Sequence, residues 1–167
     1  METLFANRYT RTGEWAKDIY GFIYFRRPVM IALHLMIMLY LAAGVAKLVF
    51  WNDFDVFFFG FPVFFELWTV LFYRRNSSAV LKRDLEIHGK PIEVVVEVTE
   101  EGIRQTQSTG SEFKLKYCDI KRAVQTKRYI YLRSKTNMIY SFGKDSFTVG
   151  TAEDFLQFLK SQGLKVK

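Results

Sequence analysis

The 167-residue chain reads as an α+β membrane protein: a two-helix transmembrane hairpin, then an antiparallel-sheet domain ending in one helix. Three observations predict this. Residues 28–73 are almost wholly apolar. Arginine pairs bracket that stretch, Arg26 and Arg27 before it and Arg74 and Arg75 after it. From residue 92 the hydrophobic pattern becomes strict alternation, the period of a half-buried strand.

The first span is "PVMIALHLMIMLYLAAGVA", about 19 residues without a full charge, long enough to cross a bilayer. Lys47 can snorkel, which extends the span to about residue 50. The second span covers about 56–73 and carries one carboxylate, Glu66, in its interior. Between them "WNDFD" is acidic, whereas both outer flanks are basic. The positive-inside rule then places both termini in the cytoplasm and the link outside. No signal peptide is visible ahead of the first span, so both spans are expected to stay in the mature protein.

Antiparallel packing with the arginine pairs level sets residues whose numbers sum to about 101 at one depth. Glu66 then falls level with His34, and Lys47 level with Asp53 and Asp55. The expectation is an intramembrane polar pair, His34 with Glu66, and an outer clasp of Lys47 with the two aspartates. Ionisable residues at such depth mark proton or ion paths, and polar residues also fasten helices to each other. Two helices alone enclose no water-filled pore, which favours the fastening role unless the chain oligomerises.

Residues 1–27 read as a cytoplasmic arm. Its helix is capped by Thr12 and places Trp15, Ile19, Phe22 and Ile23 on one side; "TLFANRYT" upstream reads as a short strand. Residues 74–91, polar and broken by Gly89 and Pro91, read as a linker. The domain proper is 92–167. Ile92, Val94, Val96 and Val98 alternate with polar or exposed positions, and further strands follow over 103–106, 112–117, 120–126, 129–133 and 138–143. A last helix starts at the Thr151 cap, carries Phe155, Leu156, Phe158 and Leu159 as its stripe, and stops at Gly163. A sheet meander closed by one amphipathic helix predicts a pleckstrin-homology-like domain.

The segments "EVTEEGIRQTQSTGSEFKLKYCDIKRAVQTKRYIYLR" and "SFTVGTAEDFLQFLK", behind two short spans flanked by Arg pairs, resemble the YcxB-like family of small bacterial membrane proteins. The resemblance implies location and fold, and it brings no catalytic residue with it.

No nucleophile, phosphate-loop or metal-ligand spacing stands out, so the chain is expected not to be an enzyme and to need no cofactor. The single cysteine, Cys118, excludes an intramolecular disulfide and is expected to be buried. From residue 74 onward there are 18 Lys and Arg against 11 Asp and Glu, which accounts for the whole net charge of +7. Lys114, Lys116, Lys121, Arg122, Lys127 and Arg128 form the candidate basic surface. Anionic lipid headgroups beneath the inner leaflet suit it, at roughly 1 kcal/mol per basic group. A protein partner or a second copy of the chain is the other expectation, and nucleic acid is not expected because no helix or aromatic platform presents the cations. The leading function is a hairpin-anchored cytoplasmic binding module. The alternative is an oligomeric channel or proton-coupled component using His34 and Glu66.

Overall fold

The computed structural model describes residues 2–166 and contains four α-helices and two antiparallel sheets, an α+β protein. The chain divides into two compact units. One is built from residues up to 12 together with those from 83 onward; the other is 13–82. The second unit is therefore an insertion in the chain of the first.

In the β-rich unit, strand β1 (Phe5–Thr10) is followed in sequence, after the insertion, by β2 (Glu93–Val98), β3 (Ile103–Gln107) and β4 (Glu112–Leu115). Next come β5 (Ile120–Gln125), β6 (Tyr129–Ser134), β7 (Ile139–Gly143) and β8 (Phe147–Val149). The larger sheet has the order β4-β3-β2-β1-β8, and the smaller is β5-β6-β7. Alternation does its expected work in β2, where Val94, Val96 and Val98 are buried while Glu93, Val95 and Glu97 lie nearer solvent.

The terminal helix, α4 (Ala152–Ser161), starts where the Thr151 hydroxyl accepts from the Asp154 amide at 3.1 Å. It stops at Gly163 in a Schellman arrangement, with Leu164 N–H bonded to Leu159 O and Gly163 N–H to Lys160 O. Phe155 is its anchor. That ring sits 4.7 Å from Phe142 of β7, 5.5 Å from Phe5 of β1 and 5.6 Å from Phe147 of β8, so it joins apolar side chains of both sheets.

β1 is the seam of this unit. The fully buried Asn7 amide donates to Gly143 O at 2.7 Å and accepts from Gly143 N at 3.1 Å, so one side chain satisfies both polar groups of a buried peptide position. Tyr9 reaches Ser141 of β7 at 2.5 Å. Burial pushes the Tyr9 phenol up to about 12, the Ser141 contact opposing the rise.

The helical unit contains α1 (Gly13–Phe25), α2 (Pro28–Trp51) and α3 (Val56–His88), the last running on into the β-rich unit from residue 83. Pro28 occupies the first turn of α2, where its missing N–H costs nothing, and Asn52 ends the helix in the left-handed region. α2 and α3 are both long and apolar enough to cross a membrane. Large side chains such as Leu39, Phe50 and Phe57 are more than two-thirds exposed along them, the reverse of a soluble core helix.

Four expectations are corrected. Residues 74–88 are the continuous end of α3 and not a linker; Gly89, at φ +67°, closes the helix one residue later. Asn76 and Ser77 are accommodated within the helix, because Ser77 Oγ bonds back to Arg74 O at 3.0 Å and Asn76 donates to Tyr24 of α1 at 2.6 Å. Residues 1–27 are not one arm, since β1 is an interior strand of the larger sheet and only α1 lies with the helical unit. The strand read over 112–117 ends at Leu115, and Cys118 lies in the 3-10 turn Tyr117–Asp119, exposed rather than buried.

Candidate functional site

α2 and α3 pack antiparallel through a close approach at Gly44. A Cβ there would overlap the side chain of Phe58, so only glycine lets the helices meet at that level. Tyr40 stacks on the same Phe58 ring at 4.5 Å. With that register set, His34 Nδ1 lies 2.7 Å from Glu66 Oε1. Phe25 stacks over the imidazole and Phe65 meets it edge-on, each with ring centroids 5.9 Å away. His34 Nε2 is buried with no hydrogen-bond partner, whereas the Glu66 side chain is 43% exposed. Which of the two atoms donates in this hydrogen bond depends on the imidazole tautomer.

At the other end of the hairpin, Lys47 Nζ sits 2.9 Å from Asp53 and 3.7 Å from Asp55, and 5.8 Å from the Phe58 ring. Both polar groupings foreseen from depth matching are thus assembled. A shared register explains both, because the antiparallel packing that aligns one pair aligns every other.

The six basic residues are divided between the two sheets and the turns beside their strands. Lys114 sits on the outward side of the larger sheet beside Arg104, and Glu112 lies within 3.4 Å of Lys114 and 3.3 Å of Arg104. Arg8 and Glu93 pair across the same side at 2.5 Å, which holds the carboxyl below its usual range and the guanidinium above. That side is balanced in charge. Lys116 lies past the end of β4 in the approach to the 3-10 turn. Lys121 is the extra residue where the β5 register shifts, so Arg122 stands directly opposite Arg133, a like-charge pair; Arg133 turns away to Asn137 at 2.6 Å. Lys127 and Arg128 occupy the β5–β6 turn, with Arg128 O bonded to Lys144 N. Local alternation cannot tell which strand will neutralise a cation, and for Lys114 that was decided by pairing.

Sequence reasoning missed a polar cleft of about 450 Å³ lined by Lys17 of α1 and by Tyr73, Arg74, Ser77 and Ser78 of α3. Positions 73, 74, 77 and 78 have helical spacing. The signal was present but required reading 74–88 as helix. Among the described residues no group of three or more His, Cys, Asp and Glu could hold a metal ion.

Residues 98–159 match the family model described as YcxB-like protein, which bears out the resemblance over that segment, from the end of β2 to Leu159 of α4. No curated protein and no solved structure matches the chain significantly.

Proposed function

We propose that the chain is a bacterial inner-membrane protein whose α2–α3 hairpin anchors a pleckstrin-homology-like module at the cytoplasmic face, where it binds a protein partner or anionic lipid headgroups. The observation that carries the reading is the exposure of large apolar side chains over α2 and the first half of α3, in a chain that also carries a separately packed β-rich unit. Water would not tolerate that surface, and lipid would. The order of four strands, three strands and a terminal helix, with β8 added beside β1, supports the pleckstrin-homology-like assignment.

α3, at 33 residues and about 50 Å, exceeds a hydrocarbon core of about 30 Å. Its second half therefore continues as helix beyond the hydrocarbon core. The test is labelling with an impermeant maleimide. Asp53→Cys is expected to react from outside intact cells, and the exposed Cys118 only in inverted vesicles. Reaction of both from the same side overturns the topology.

A second reading, an oligomeric proton-coupled component, is favoured by the unpartnered His34 Nε2 and the exposed flank of Glu66. It expects Glu66→Gln to abolish pH-driven flux in proteoliposomes while the protein stays folded. Wild-type vesicles that show no flux remove it.

A further inference from the structure

We propose that the cleft between α1 and α3 binds the phosphate group of an anionic phospholipid. The proposal rests on the membrane reading above and assigns a lipid site in the helical unit, apart from the basic residues of the sheets.

The cleft is built by close helix packing. Gly21 of α1 lies against the Tyr73 ring, Tyr73 Oη donates to Lys17 O at 3.4 Å, and the Asn76 bond to Tyr24 ties the two helices beside it. Three residues with donor side chains line it: Lys17, Arg74 and Ser78. Among the described residues no acidic side chain lines it. Neither Lys17 nor Arg74 has an ion-pair partner among the described residues. A phosphate in the cleft can accept from both cations and from the serine.

Depth selects the source of the phosphate. Arg74 follows directly on the apolar run of α3, and Tyr20, Tyr24, Phe25 and Tyr73 gather at the same level, as aromatic residues do at a headgroup interface. The acyl chains of a bound lipid would then run along the exposed apolar side of α3, which a free phosphate ester could not use. Basic clefts between helices at the cytoplasmic interface are a general mode of headgroup binding.

The test uses the full chain in phosphatidylcholine nanodiscs, with phosphatidylglycerol titrated in and lipid retention read by native mass spectrometry. One phosphatidylglycerol is expected to be held, roughly tenfold more weakly in Lys17→Gln and in Arg74→Gln. Lys160→Gln, in the last turn of α4, is expected to match the parent. Retention equal in all four proteins overturns the proposal. Protection of the parent by inorganic phosphate, with phosphatidylglycerol inert, overturns the lipid as source. Thermal transitions in phosphatidylcholine alone confirm that each variant is folded. Should Arg74→Gln fail there, Ser78→Ala, which removes one exposed hydroxyl, must still weaken retention. A chain that does not enter nanodiscs overturns the membrane reading itself, an outcome distinct from a reconstituted chain indifferent to Arg74.

Discussion

A fragment that starts at residue 83 is expected not to fold, although it contains seven of the eight strands and all of α4. It lacks β1, which lies between β2 and β8 and pairs with β2 over six residues. The loss can be sized from three side chains. Tyr9 is almost fully buried and Phe5 packs on Phe155 and Phe158; aromatic rings bury about 150–250 Å² each, worth about 4–6 kcal/mol per ring at about 25 cal/mol per Å². Such areas overstate the gain by about 10–40%, because real unfolded chains are already partly collapsed. Removing Asn7 also strands the buried N–H and C=O of Gly143, at about 1–3 kcal/mol each. Together these reach about 10 kcal/mol, within the range of about 5–15 kcal/mol that holds a whole domain folded. The bared edge of β2 would also template aggregation. Joining residue 12 to 83 through a short Gly/Ser linker is expected to restore folding, because Arg11 Nη1 and Asp84 Oδ2, one residue from each new end, are 3.5 Å apart. The assay is an amide NMR spectrum with urea denaturation of 83–167 alone and of the joined form. A dispersed spectrum and a cooperative transition at the same midpoint for 83–167 alone would refute the seam role of β1.

Two further outcomes follow from the same geometry. The Tyr9 phenol is raised above its unfolded value of about 10, so its stabilisation is complete below pH 10 and lost as pH climbs through about 12. A two-unit shift corresponds to about 2–3 kcal/mol, so the joined domain should weaken by about that much between pH 10 and 12, and Tyr9→Phe should flatten the loss; an unchanged profile in the variant would exclude Tyr9 as its origin. Gly44→Leu drives a side chain into Phe58 and is expected to separate α2 from α3, read as loss of disulfide cross-linking between His34→Cys and Glu66→Cys. Undiminished cross-linking would show that the helices do not depend on that approach.

The depth rule that paired His34 with Glu66 and Lys47 with Asp53 and Asp55 needed no coordinates, because a short link forces two neighbouring helices antiparallel and rise per residue is constant. The boundaries of α1 and α4 were legible for a similar reason. Caps and stop residues act within a few positions of themselves, as Thr151 and Gly163 do. The linker reading of 74–91 rested on polarity and on Gly89 and Pro91, but polarity does not end a helix, and Asn76 sits inside α3 bonded to Tyr24. The place of β1 was out of reach in principle. Its own six residues say strand, but its partner β2 lies more than eighty positions away across the inserted helices, and alternation carries no address. The cleft at Lys17 and Arg74 has the same origin, since its donors come from two helices whose packing side chains fix the distance between them. Sequence periodicity thus determined which segments are apolar helix and which are strand, each being a property of neighbours along the chain. Tertiary structure alone decided that the β-rich unit is interrupted by the hairpin, and which cations stand paired, because both depend on contacts between residues remote in sequence.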